Sequence, residues 1–97
     1  MIYHVVPGDQ WKAALVTGSY APDSFADEGF IHASREGQVA GVLERYYRGQ
    51  TGLLLLHIDE NRLTAQLRYE YSQSTNEEFP HIFGPLNTNA VVKATPL

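Results

Sequence analysis

The feature that most constrains this chain is the apolar segment from Leu53 to Ile58, which only His57 interrupts. A continuous apolar segment of this length predicts a central strand covered on both faces, because a half-exposed strand would alternate apolar and polar residues. The segment is far too short to span a bilayer, so no membrane association is expected. We therefore expect a fold organised around one buried strand.

Several short strands are predicted around this segment. The first covers Ile2 to Val6, which is rich in β-branched and aromatic residues and stops at Pro7; strand alternation places Ile2, His4 and Val6 on one face. Further extended segments are predicted at 30–33, 63–71, 79–83 and 90–95, with loops at 19–29 and 72–78. Because the helices come early and most strands late, the sequence predicts the α+β class with largely antiparallel pairing.

Two main helices are predicted. The first runs over residues 10–17, with Asp9 as its cap and Trp11, Ala14 and Leu15 as its apolar stripe. The second runs over 35–48 after Ser34, a favourable N-cap residue. The face predicted to be buried consists of Val39, Val42, Leu43 and Tyr46. A separate polar face consists of Gln38, Gly41, Arg45 and Arg48.

Length and composition narrow the class of protein. A chain of 97 residues predicts one domain over 1–97, and the absence of cysteine excludes disulfides, thiolate metal sites and cysteine nucleophiles. The net charge is −4 and the seven basic residues are scattered, so a nucleic-acid groove is not expected. The first residues show neither the basic start nor the apolar block of a signal peptide, which favours a cytoplasmic protein.

The four histidines, His4, His32, His57 and His81, each lie in or beside a predicted strand. Taken singly, such a histidine is either a core or rim residue with one hydrogen-bond partner, or a catalytic or binding group. None has a second histidine or a carboxylate at helical spacing, so no metal is expected.

The segment His32-Ala33-Ser34 lies where a predicted strand meets a predicted helix. A helix N-terminus favours anions, so Ser34 and His32 are candidates to contact a phosphate or a ribose. In the alternative interpretation, Ser34 only caps the helix and His32 makes a local hydrogen bond.

Two further segments are candidates for a binding site. Glu70 is either an exposed, salt-bridged strand residue or a carboxylate in a cleft that grips a ribose hydroxyl. Around His81, the two prolines, the glycine and the aromatic Phe79 and Phe83 predict a fixed wall suited to a flat ring such as nicotinamide or adenine. The alternative is a strand that covers the core and ends in a proline-defined turn.

Together these motifs resemble the DUF952 family of small, mostly bacterial, uncharacterised proteins. The resemblance covers essentially the whole chain. The motifs that carry it are Ile2-Tyr3-His4, Gly29-Phe30-Ile31-His32-Ala33-Ser34, Arg45-Tyr46-Tyr47-Arg48-Gly49, Leu53 to Asp59, Tyr69-Glu70 and Phe79-Pro80-His81-Ile82-Phe83-Gly84-Pro85-Leu86. By fold the family is grouped with the ADP-ribosyltransferases, so the resemblance implies two small antiparallel sheets flanked by helices, with NAD in the cleft between them.

The resemblance also implies roles for particular residues. His4 takes the place of the first-strand group that grips the dinucleotide, and His32 with Ser34 that of the middle element. Glu70 or His81 takes the place of the late-strand glutamate that steadies the ribose. The implied catalytic residues are therefore His32, Glu70 and His81, and the implied ligand contacts are His4, His32, Ser34, Gln38, Arg45, His81 and Phe83. In one departure from the family pattern, Val6 stands where a threonine is usual.

Four functions follow as hypotheses. The first is an enzyme that cleaves NAD, its substrate, and transfers ADP-ribose; the second is a non-catalytic module that binds NAD, ADP-ribose or another nucleotide. The third is a two-histidine phosphoesterase, for which His32-Ala33-Ser34 supplies one motif and His57-Ile58-Asp59 an imperfect second. The fourth is a protein-interaction domain that uses its many tyrosines.

Overall fold

The computed structural model describes all 97 residues and belongs to the α+β class, as predicted. In chain order the elements are β1 (Ile2–Pro7), α1 (Gly8–Thr17), β2 (Ser19–Tyr20), α2 (Phe25–Glu28), β3 (Ile31–His32), a 3₁₀ turn (Glu36–Gln38), α3 (Val39–Tyr46), β4 (Leu53–Ile58), a 3₁₀ turn (Glu60–Arg62), β5 (Gln66–Ser72), β6 (Glu77–Phe83), β7 (Leu86–Asn87), a 3₁₀ turn (Thr88–Ala90) and β8 (Val91–Pro96). All strand pairs are antiparallel. No helix is long and apolar enough to cross a membrane.

The apolar segment forms β4, the central strand of a three-stranded sheet in the order β1-β4-β8. None of its residues is exposed, and Leu56 and Ile58 are completely buried. The predicted covered central strand is therefore confirmed. On β1, Ile2, His4 and Val6 are all buried, and Val5, on the other face of the strand, is buried as well.

A second three-stranded sheet has the order β3-β6-β5, and β2 pairs with β7 in a small third sheet. The two larger sheets are linked at one point: the backbone N–H and carbonyl of Tyr3 on β1 pair with those of Ser34, just after β3. This link fixes how β1 lies beside the β3-β6-β5 sheet, and the cleft described below lies at that junction.

The main core is a cluster of twelve buried residues that joins these elements. Its fully buried members come from β1, β3, β4, β6 and the segment that follows it. They are Ile2, Val6, Ile31, Leu56, Ile58, Ile82, Leu86 and Ala90. Trp11 and Ala14 attach α1 to this cluster, as predicted. Leu15 of the same predicted stripe is 56% exposed, because α1 buries only a narrow face.

The second main helix is shorter than predicted. Residues 36–38 form a 3₁₀ turn, and α3 covers Val39–Tyr46 only. Ser34 is not its N-cap, because both backbone groups of Ser34 pair with β1. Arg35 precedes the turn instead, and its backbone N–H donates a 2.9 Å hydrogen bond to Gln38 Oε1.

The buried face predicted for this helix is correct only in part. Val42 is buried, but Tyr46 is 60% exposed. The helix ends at Tyr46, so this side chain lies at the edge of the cleft rather than in the core.

Two predicted loops contain short regular elements. The 19–29 segment holds β2 and α2, and α2 ends at Gly29 with φ +79°, a left-handed conformation that suits glycine. In the 72–78 segment, β5 and β6 extend into a hairpin whose turn contains Asn76 at φ 57°. Short elements of this kind carry too few residues to produce a readable period.

Candidate functional site

A cleft of about 770 Å³ lies at the junction of β1 with the β3-β6-β5 sheet. Its lining combines six aromatic rings, three imidazoles and three carboxylates, and contains neither lysine nor arginine. The aromatic members are Tyr20, Phe30, Tyr46, Tyr47, Tyr71 and Phe79; the imidazoles are His4, His32 and His81, and the carboxylates are Asp23, Glu28 and Glu70. The cleft is thus apolar and aromatic in its walls, with a few polar groups between them.

Strand register explains why these side chains meet. His32 on β3 lies opposite His81 on β6, and Glu70 on β5 lies opposite Phe79 on β6. Directly paired residues point to the same face of a sheet, so these four side chains share one face. The opposite face carries Ile31, Ile82 and Leu67, which are buried or packed against the core. One face of the sheet therefore builds the core, and the other builds the wall of the cleft.

Glu70 and His81 are in direct contact: Nδ1 of His81 lies 3.1 Å from Glu70 Oε1. A carboxylate only accepts hydrogen bonds, so Nδ1 carries a proton, and whenever the ring is neutral its lone pair is on Nε2. His81 also stacks on Phe30, with ring centroids 4.1 Å apart and planes 9° from parallel. The ring is therefore held from two sides, and its orientation is fixed.

His32 is half-buried beside the rings of Phe79 and His81, at centroid distances of 4.9 Å and 5.5 Å. Burial lowers its pKa below the usual value, and the neighbouring His81 lowers it further. His32 is consequently a neutral imidazole at pH 7.

His4 is the most deeply buried histidine of the cleft. Its Nδ1 lies 2.7 Å from the backbone carbonyl oxygen of His32, and burial lowers its pKa to about 4. A carbonyl oxygen can only accept, so Nδ1 donates, and the neutral ring presents Nε2 as an acceptor. This Nε2 has no hydrogen-bond partner within the protein. The arrangement calls for a hydrogen-bond donor, such as a hydroxyl or an amide N–H.

The remaining site residues predicted from the sequence are not all in the cleft. Ser34 lines it, whereas Gln38, Arg45 and Phe83 do not. Gln38 is buried, and its amide donates to the Glu78 carbonyl over 2.8 Å. The structure therefore uses Gln38 to hold the 3₁₀ turn against β6.

Arg45 and Phe83 lie beside the cleft. The Arg45 side chain covers Gly41 and approaches the Tyr46 ring to 5.7 Å, and its charge contributes slightly to the lowered pKa of His32. Phe83 packs against Phe30, with centroids 5.6 Å apart, so it supports the ring on which His81 stacks.

Several lining residues were not identified from the sequence. Tyr20, Asp23 and Glu28 come from a segment predicted to be a loop, and Tyr46 was assigned to the core. Burial raises the pKa of Tyr20 to about 12, so its hydroxyl stays protonated and can donate a hydrogen bond. The available signal was the concentration of aromatic and acidic residues in a segment without periodicity.

His57 lies away from the cleft. It is on β4, where its Nε2 is 3.1 Å from Thr95 Oγ1 and its ring meets Tyr3 edge-on at 5.1 Å. The two motifs required for a two-histidine phosphoesterase, at His32 and His57, therefore do not line one cleft.

These features define a small α+β protein of antiparallel sheets with an aromatic, imidazole-rich cleft. The chain belongs to the DUF952 family, whose model, described as a protein of unknown function, matches residues 5–94. It is similar to the crystal structure of protein CC0527 from Caulobacter crescentus, with 30% identity and a TM-score of 0.90, over 99% of this chain and 84% of that chain. The solution NMR structure of CC0527 gives 30% identity and a TM-score of 0.84, over 99% and 83%. No curated protein matches this chain.

Proposed function

We propose that this protein has an ADP-ribosyltransferase-like fold, binds NAD or ADP-ribose in the cleft, and transfers ADP-ribose from NAD. The single observation that carries the proposal is the hydrogen-bonded pair of Glu70 and His81 in an aromatic cleft. Support for the fold comes from two small antiparallel sheets that meet beside the cleft and are linked through Tyr3 and Ser34.

The walls of the cleft suit the flat nicotinamide ring. Aromatic faces such as those of Tyr47 and Tyr71 offer stacking surfaces, and a stacked ring excludes water from the bond to be broken. Nε2 of His4 needs a donor, and a ribose hydroxyl or the carboxamide N–H of nicotinamide supplies one. The neutral Tyr20 hydroxyl and the Ser34 hydroxyl are further polar groups in the lining.

Glu70 and His81 would carry the chemistry. When the bond between the ribose C1′ and the nicotinamide nitrogen breaks, its electron pair leaves with nicotinamide, and positive charge develops on the ribose. The Glu70 carboxylate stabilises that charge and orients His81. The acceptor hydroxyl bonds to C1′, and its proton passes to Nε2 of His81, which is held as a base.

The test is nicotinamide release from NAD, quantified over hours with the purified protein. We expect slow release by the native chain and a loss of release in His81→Ala. His57→Gln is the matched control, because this histidine lies outside the cleft and its replacement leaves the pair intact. Equal release by the native chain and His81→Ala would refute the proposed mechanism.

A non-catalytic nucleotide-binding module is the second candidate function, and one observation favours it. Val6, which replaces the usual threonine, is completely buried in the core, so β1 offers the ligand only His4 as a polar side chain. A binder requires the cleft but not the Glu70–His81 pair. Saturable NAD binding without nicotinamide release would establish this alternative.

A further inference from the structure

We propose that the cleft recognises the positive charge of the N-ribosylated ring, so that cationic N-ribosides lacking any phosphate are substrates of the same site. The inference rests on the proposed function and narrows it: the pyridinium riboside half of NAD would be the recognised part. The pyrophosphate and adenosine would lie outside the cleft.

The charges of the side chains that line the cleft support recognition of a cation. Asp23, Glu28 and Glu70 contribute three carboxylates, and no lysine or arginine lines the cleft. At pH 7 His4 and His32 do not offset these charges, because burial lowers the pKa of both, and His81 lies against only one of the three carboxylates. The cleft therefore has a negative potential, which attracts a cation and opposes a pyrophosphate.

Two arginines that come from the elements around the cleft, Arg45 and Arg68, contact other groups. The Arg45 guanidinium packs over Gly41 and Tyr46, and that of Arg68 lies 5.3 Å from the Phe83 ring centroid on the wall of the sheet. Neither lines the cleft. An anionic ligand would thus have to recruit one of them by breaking an existing contact.

Aromatic and hydrogen-bonding groups supply the second, independent observation. The faces of aromatic rings attract cations, and six such rings line this cleft. His4, nine-tenths buried, contributes an acceptor nitrogen that has no partner in the protein, which matches a ribose hydroxyl rather than a phosphate oxygen. An aromatic, anionic cleft with a buried acceptor fits a cationic nucleoside.

The reaction of such a riboside with water balances without a cofactor. Water oxygen bonds to C1′, the C1′–N bond breaks, and its electron pair neutralises the ring nitrogen. The water proton passes to Nε2 of His81, and Glu70 stabilises the resulting imidazolium until solvent takes the proton. The released ring is neutral, so it loses its attraction to the carboxylates and leaves the cleft.

The test compares two probes that differ in charge and hardly in size: nicotinamide riboside, a cation, and its uncharged 1,4-dihydro form. Binding is measured by calorimetry and by amide NMR shifts, with NAD and ADP-ribose titrated in parallel. We expect the cation to bind roughly tenfold more tightly than the dihydro form, and this ratio to shrink at high salt. We also expect ADP-ribose to bind more weakly than NAD.

Variants identify the groups responsible. Glu28→Gln and Asp23→Asn should each weaken binding of the cation about threefold and leave the dihydro form unchanged, because each removes one charge. Glu44→Gln is the control, since Glu44 is exposed on α3, pairs with Arg48 and does not line the cleft.

The outcomes separate this inference from the function on which it rests. If NAD binds in the cleft but both riboside forms bind equally or not at all, charge recognition is wrong and the proposed function stands. If neither NAD nor nicotinamide riboside shifts any residue of the cleft, both proposals fail together.

Discussion

Nδ1 of His81 and Oε1 of Glu70 lie 3.1 Å apart across neighbouring strands, diagonally in the β5–β6 register. His81 is directly opposite Arg68, two residues before Glu70, and a diagonal pair of this kind is within reach of long side chains. The Glu70 side chain is 46% exposed and that of His81 is 14% exposed. The contact therefore joins a sheltered imidazole to a solvent-accessible carboxylate, which suits a base that must exchange its proton.

Replacing Glu70 by glutamine should separate binding from turnover. Glu70→Gln keeps the size of the side chain but removes the charge that we propose orients His81 and stabilises the ribose cation. We expect nicotinamide release from NAD to fall about a hundredfold, while NAD affinity falls only about threefold, as for the loss of any one lining carboxylate. Single-turnover kinetics and calorimetry measure the two quantities. A parallel loss of affinity and release would instead mean that Glu70 only binds.

His4 should make the stability of the fold depend on pH. Its pKa is about 4 in the folded protein, against the ordinary histidine value of 6.5 in the unfolded chain. Between these two pH values the unfolded chain therefore binds more protons than the folded protein. Its contribution to stability is therefore complete above pH 6.5 and is lost as the pH falls to about 4. From pH 7 to pH 4.5 this single residue should lower the free energy of unfolding by about 2 to 3 kcal/mol.

The His4 effect is isolated by comparison with His4→Gln, which retains an N–H donor for the His32 carbonyl. Urea unfolding at pH 7 and pH 4.5 gives the change for each protein. The lowered pKa of His32 acts in the same direction, but this residue is present in both proteins, so its contribution cancels. Identical pH dependence in the two proteins would contradict a buried, neutral His4.

Gln38 should matter for stability rather than for ligand binding. Its Oε1 accepts from the Arg35 backbone N–H, and its Nε2 donates to the Glu78 carbonyl. Gln38→Ala should lower the free energy of unfolding by about 1 to 3 kcal/mol, because two partly buried backbone groups lose their partners. Gln50→Ala is the control, since Gln50 is exposed and its side chain makes a single long hydrogen bond, 3.4 Å from Nε2 to the Tyr46 carbonyl oxygen. A large loss of NAD affinity in folded Gln38→Ala would revive the ligand role implied by the family resemblance.

Gly84 should not tolerate a methyl group. A Cβ at this position would lie 2.8 Å from the Ala65 Cβ, well inside van der Waals contact. We expect Gly84→Ala to destabilise the fold by about 1 to 3 kcal/mol and the second change Ala65→Gly to recover part of that loss. Gly37→Ala is the control, because a Cβ there meets nothing within 4 Å. Additive effects of the two changes in thermal unfolding would argue against the clash.

Strands could be predicted from the sequence wherever a segment was continuously apolar or rich in β-branched and aromatic residues. The limits of β4 and the buried face of β1 follow from their apolar patterns. The start of the second helix could not be predicted, because the backbone of Ser34 is hydrogen-bonded to that of Tyr3, more than thirty residues earlier in the chain. A local capping rule cannot anticipate that long-range pair.

Several residues of the candidate site could be identified from the sequence, but their spatial arrangement could not. His32, Glu70 and His81 stood out by residue type, yet their meeting depends on the register of three strands that the sequence does not state. Tyr20 and Glu28 were missed because they come from elements of two and four residues. The cleft thus arises from tertiary pairing rather than from any one motif.

The most direct test of the central claim is an amide NMR titration of the labelled protein with NAD, followed by ADP-ribose and nicotinamide separately. We expect saturable shifts at Val5, at residues 31–38, at Glu70 and at His81, and none at His57 or Thr95, which lie away from the cleft. No shift at millimolar NAD, or shifts centred on His57, would contradict the assignment of this cleft to NAD.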